Sequence, residues 1–182
     1  MKRIIIKSWK SSLYKLAAIV MFFSLCAHSC DIKLLEKPEP TELPPKTQTG
    51  AHTFGCYVNG EIFVATMFSG PWDSPYLDAL YIGSSKRLTV SGHGKMGWIQ
   101  FDVRDPKVNE KVKLNSALFR PRGDISGFSG NNIGEFILTR FDKENLIVSG
   151  TFAFELSASD RPQIQITEGR FDIKISDYNF RE

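Results

Sequence analysis

Thr53-Phe54-Gly55-Cys56-Tyr57-Val58-Asn59-Gly60-Glu61-Ile62-Phe63-Val64-Ala65 reads as a β-hairpin, and it sets the fold class of everything that follows. Phe54, Cys56 and Val58 share one face of the first run, so the pattern repeats every two residues, as in a strand with one buried side. Asn59-Gly60 supplies the positive φ angles that a two-residue type I′ turn requires. On that face Cys56 is expected to point into the core as a small hydrophobe.

The same period continues downstream. Further strands are predicted at 80–83, 88–92, 98–103, 111–115, 135–141, 146–156, 163–168 and 170–175. In the third of these, Ile99, Phe101 and Val103 oppose Trp98, Gln100 and Asp102. In the last, Phe171, Ile173 and Ile175 oppose Arg170, Asp172 and Lys174. Gly150 interrupts the apolar row of the long run 146–156 and is read as a bend carrying that strand between two sheets. No segment after Cys30 shows a helical apolar period. The expected fold is therefore all-β, an antiparallel β-sandwich of about 8–10 strands, with a lipocalin-like β-barrel as the alternative.

Before the hairpin the composition changes twice. Residues 1–29 begin with Lys2, Arg3, Lys7, Lys10 and Lys15 and no acid, then run apolar from Leu16 to Ala27. This is the build of a secretory signal peptide, and the apolar core is shorter than the roughly 20 residues a membrane span needs. Ala27-His28-Ser29 fits ordinary secretory cleavage, while Ala27-His28-Ser29-Cys30 resembles the lipobox of bacterial lipoproteins, in which the cysteine is acylated. Residues 30–52 are then a lipidated Cys30 and a tether rich in proline (Pro38, Pro40, Pro44, Pro45), too polar to fold alone. Residues 53–182 are left as a single β domain.

Charge and cysteine count narrow the function classes. Five of the 23 basic residues lie within residues 1–29 while all 20 acids follow, so residues 30–182 carry 18 positive against 20 negative side chains. A chain so nearly balanced, without a basic stripe, has no footprint for nucleic acid. Three cysteines at positions 26, 30 and 56 give neither a disulfide framework nor metal-ligand spacing. No metal and no cofactor is expected.

Three motifs resemble a family of Bacteroidetes cell-envelope lipoproteins. Residues 53–63 are similar to its F-x-x-x-V-N-G-x-x-F opening. Phe136-Ile137-Leu138-Thr139-Arg140-Phe141-Asp142 followed by Ile147-Val148-Ser149-Gly150-Thr151-Phe152-Ala153-Phe154 resembles its I-x-x-T-x-[FY]-D and [IV]-S-G-T-F-x-F segment. Ile166-Thr167-Glu168-Gly169-Arg170-Phe171 resembles the closing I-T-x-G-x-F. The resemblance implies a β domain on a lipidated tether at the outer membrane, on its periplasmic or its surface face. It brings no catalytic residues.

The residues themselves offer little for catalysis. No nucleophile elbow, zincin motif or phosphate loop is present, and the histidines after residue 30 are His52 and His93. Carboxylate pairs such as Asp102/Asp105 and Asp142/Glu144 keep a hydrolase as a remote alternative. Two predicted loops are richer. Residues 66–77 carry Phe68, Trp72 and Tyr76, and residues 117–132 carry Phe119, Arg120, Arg122 and Phe128. Trp72, Tyr76, Trp98, Arg120 and Arg122 are the candidate contacts for a glycan or an envelope protein. Arg122-Gly123-Asp124 is read as turn chemistry. The expected function is a non-enzymatic binding or accessory lipoprotein held to a lipid bilayer through Cys30. A structural subunit of an envelope assembly, pairing by an edge strand, is the second reading.

Overall fold

The structure is a computed structural model that describes residues 40–65 and 77–182. The expected signal peptide, Cys30 and the first part of the expected tether lie outside the described residues, as do Phe68, Trp72 and Tyr76.

The described residues form ten strands: β1 (Thr53–Val58), β2 (Glu61–Val64), β3 (Leu77–Ile82), β4 (Arg87–Gly94), β5 (Gly97–Arg104), β6 (Lys111–Pro121), β7 (Phe128–Asp142), β8 (Ile147–Ala158), β9 (Arg161–Lys174) and β10 (Phe180–Arg181). They make one hydrogen-bonded sheet in the order β10-β3-β4-β5-β6-β7-β8-β9-β1-β2. Every neighbouring pair is antiparallel except β10 with β3. The all-β class holds. A single sheet curled into a half-barrel, and not two facing sheets, is the form it takes, so the barrel-like alternative describes the chain. Among the described residues no helix is long and apolar enough to cross a membrane.

The opening hairpin forms as its sequence requires. Val58 pairs with Glu61, and Asn59 and Gly60 both take positive φ, 49° and 85°. Alternation then places the core. Phe54, Phe101, Phe136, Phe152, Phe154 and Phe171, from five different strands, meet inside the curl. Phe101 lies 4.7 Å from Phe152 and 6.1 Å from Phe171, ring centre to ring centre, and Phe54 lies 5.2 Å from Phe152. Offset and edge-on aromatic pairs of this kind contribute about 0.5–1.5 kcal/mol each beyond their buried area.

Gly150 does not carry β8 into a second sheet. It pairs with Phe171 on one side and Leu138 on the other, and a Cβ there would stand 2.8 Å from the Phe171 ring. The glycine makes room for an aromatic ring within one sheet. Two predicted strands, 163–168 and 170–175, are likewise one strand, β9, kinked where Glu168 takes a φ of 51°.

Part of the expected tether belongs to the folded unit. Pro44 lies over Gly55, where a Cβ would come within 2.5 Å of the proline ring. Residues 47–51 wrap the outward carboxylate of Asp172, which is 1% exposed. Thr47 Oγ1 (2.7 Å) and the backbone N–H groups of Thr49 (2.9 Å), Gly50 (2.8 Å) and Ala51 (3.1 Å) all donate to it, as does Ser149 Oγ from β8 (2.7 Å). The Arg140 guanidinium adds a hydrogen bond to the Gln48 carbonyl. Burial raises the Asp172 pKa, but the hydrogen bonds from Thr47, Ser149, Ala51 and Thr49 outweigh it and hold the carboxyl below its ordinary range. Composition alone marked this stretch as unable to bury surface; one acid on β9 supplies the partners it lacked.

Candidate functional site

The predicted contact residues that can be placed fall at one end of the sheet. Ile99 and Phe119 point inward, so alternation sends Trp98 and Arg120 outward, and they are direct cross-strand partners. His93 of β4 is the partner of Trp98 on its other side. The His93 ring stacks on the indole at 5.3 Å and 19°, and the Arg120 guanidinium lies 5.6 Å from the indole centre. The indole is thus held by both of its cross-strand neighbours. Its Nε1–H is buried and has no hydrogen-bond partner among the described residues. Desolvation lowers the His93 pKa, which favours the neutral ring against the arginine beside it.

Arg122 sits just beyond, on the turn joining β6 to β7. Its backbone N–H donates to the Met96 carbonyl at 2.9 Å, tying this turn to the one between β4 and β5. Arg161, at the start of β9, pairs with Asp124 and lies 4.3 Å over the Phe128 ring, tying in a third turn. Asp124 also caps its own turn through the N–H of Ser126 at 2.9 Å. Arg161 and these backbone groups hold its carboxyl below the usual range. The acid of Arg122-Gly123-Asp124 is therefore committed internally. The three turns present exposed Arg120 and Arg122 together with Ile125, which is 91% exposed. Sequence reasoning missed Ile125, because an isolated apolar residue in a Gly-Ser-Asp turn carries no periodicity.

Phe119 and Phe128 are not surface aromatics. Residues 117–121 continue β6, and both rings are buried and stacked 6.5 Å apart. The alternation Ala117-Leu118-Phe119-Arg120 was the available signal for it.

Three of the four acids considered for hydrolysis, Asp102, Asp105 and Asp142, are engaged in ion pairs. Asp102, 5% exposed, meets Arg87 at 3.2 Å and Ser116, while Asp105 meets Lys86 at 3.3 Å. Asp142 caps its turn through Asn145 and pairs with Arg140 at 2.6 Å, which keeps its carboxyl well below the ordinary range. Among the described residues no group of three or more His, Cys, Asp or Glu is placed to hold a metal ion. Cys56 is fully buried, and burial pushes its thiol far up despite nearby Arg170. Iodoacetamide at pH 8 is accordingly expected to leave Cys56 unmodified in the folded protein and to label it in urea, read by intact mass; equal labelling in both would contradict this burial.

Comparison with known protein families, with curated proteins and with solved structures finds no match for this chain.

Proposed function

We propose that the protein is an exported lipoprotein, acylated at Cys30, whose β domain is a non-enzymatic adaptor that docks an envelope protein through its Trp98–Arg120–Arg122 end. The observation carrying this reading is the His93–Trp98–Arg120 row set against three mutually bonded turns. Trp and Arg dominate protein–protein hot spots, because each covers much area with few ordered bonds. An indole already stacked by His93 and approached by Arg120 is a poor platform for sugar stacking, which supports a protein over a glycan at this end. The orphaned Nε1–H of Trp98 supports the reading as well. A buried donor without a partner costs about 1–3 kcal/mol, and such groups persist where something other than stability is selected.

A photo-crosslinking amino acid in place of Ile125, in the intact cell, is expected to trap one discrete envelope protein. Arg120→Glu with Arg122→Glu is expected to reduce that product at least tenfold. A crosslinker at Lys113, an exposed position elsewhere on β6, is expected to give none. The same product from both positions, or no effect of the charge reversals, would overturn the docking site. Metabolic lipid labelling with mass spectrometry of the mature N-terminus tests the anchor separately, and an unmodified Cys30 defeats it.

A further inference from the structure

A second surface, on β7, β8 and β9, has the build of a ligand groove. Between its pairings Ser129–Ser157 and Glu135–Ala153, β7 uses two residues more than β8 does. The surplus is absorbed where Asn132 and Gly134 take positive φ, 52° and 62°. Gly134 allows β7 to return against β8, since a Cβ there would stand 2.3 Å from the Ala153 carbonyl oxygen. The sheet ladder is interrupted over this stretch, and an open groove of about 570 Å³ lies along it. That volume falls within the ordinary range for small-molecule sites, roughly 300–1,000 Å³.

The side chains lining the groove decide what it fits. Ser129, Glu155, Ser157, Gln163, Gln165 and Thr167 bring hydroxyls, amides and one carboxylate to it. Gln163 Nε2 donates to Ser157 Oγ at 3.2 Å, and Gln165 Nε2 donates to Glu155 Oε1 at 3.1 Å. Gln165 is further fixed by its backbone, whose N–H donates to Asn59 Oδ1 at 2.8 Å. Each amide keeps a second N–H and a carbonyl oxygen beyond these bonds, held in a fixed row by its neighbour. A sugar hydroxyl both donates and accepts, so it matches such a row at every position. An anionic ligand would meet the Glu155 carboxylate with no cation among the lining residues. Ile133, Ala153, Phe154 and Ile166 line the groove as well, and the C–H faces of a sugar ring can meet them, whereas a wholly apolar ligand would strip water from the six polar side chains and return no hydrogen bonds.

We infer that this groove binds a neutral, hydroxyl-rich oligosaccharide. Binding is through hydrogen bonds without ring stacking and so is weak at one site, and it gains strength when several copies held together meet a polymer. The groove is separate from the docking end proposed above, and its binding does not depend on that reading.

The test presents the detergent-solubilised full chain to immobilised hexasaccharides. The set comprises neutral gluco-, manno- and xylo-oligomers, a sulfated oligomer, a uronic acid oligomer and an extended peptide library. At least one neutral oligomer is expected to be retained, with Gln163→Ala plus Gln165→Ala lowering its affinity tenfold or more. Both glutamines are exposed, so unfolding midpoints of this variant are expected to match the parent. Arg120→Glu is expected to leave retention unchanged, which separates failure of the groove from failure of the docking end. Retention of no neutral oligomer, preference for the sulfated or uronic acid oligomers or for peptides, or full retention by the double variant would each overturn the inference.

Discussion

Asp172→Ala is expected to lower the unfolding free energy by about 3–5 kcal/mol and to free residues 47–51 from the sheet. Hydrogen bonds to a charged acceptor contribute about 1.5–3 kcal/mol each, and Asp172 accepts from Thr47, Thr49, Gly50, Ala51 and Ser149. The total is held below their sum because the released strap regains chain entropy and rehydrates its N–H groups. Asp172→Asn keeps one acceptor oxygen and loses the charge, so about half the effect is expected. Urea denaturation reads the energy, and trypsin reads the location. Cleavage after Lys46 is expected to be slow in the parent protein and rapid in Asp172→Ala. Identical midpoints and identical tryptic patterns would defeat this account.

The pH dependence follows from the same carboxylate. Its pKa in the folded protein lies below the unfolded value of about 3.9. Its stabilisation is therefore fully present above that value and is lost as pH falls through the folded pKa. The stability gap between the parent and Asp172→Asn is expected to stay constant from pH 8 to pH 5 and to shrink below about pH 4. A gap that grew on acidification would reverse the assignment.

Phe101→Ala carries the other large expectation, a loss of about 3–5 kcal/mol. The Phe101 ring is 1% exposed and lies within ring-contact distance of Phe54, Phe136, Phe152, Phe154 and Phe171. Strands β1, β7, β8 and β9 thus meet β5 at one side chain, and removing it opens a cavity bounded by rigid rings. Since domains are stable by about 5–15 kcal/mol, the variant is expected to sit near the folding threshold. Phe101→Leu fills most of the space and is expected to cost about 1–2 kcal/mol. Val108→Ala, at an exposed site, is expected to change stability by no more than about 0.5 kcal/mol. Thermal unfolding distinguishes the three, and a Phe101→Ala midpoint equal to that of Val108→Ala would show the aromatic cluster to be loose.

The candidate sites were legible to unequal degrees. Trp98 stood out because alternation placed it outward on a strand whose other face was apolar, and Arg120 because it lay in a predicted loop rich in aromatic and basic residues, although the structure puts it on β6. Their stack with His93 was not legible, since it depends on which strands are neighbours and in what register. Ile125 was invisible for want of a period, and the β7–β9 groove because it arises from a two-residue mismatch between the pairings Ser129–Ser157 and Glu135–Ala153, which no short window of sequence contains. Glutamines, serines and a threonine on alternating positions read only as a solvated face until that mismatch opens the sheet beside them.

Local pattern determined the all-β class, the Asn59-Gly60 hairpin and the inward rows of phenylalanine, because a two-residue period and a positive-φ turn are properties of short segments. Only the tertiary structure decided that the strands form one curled sheet, that Gly150 admits a ring and does not turn a corner, and that residues 47–51 are held by Asp172. Each of these rests on a contact between distant parts of the chain. The partners that satisfy a backbone N–H or fill the space above a glycine are set by long-range register, and no short stretch of sequence contains it.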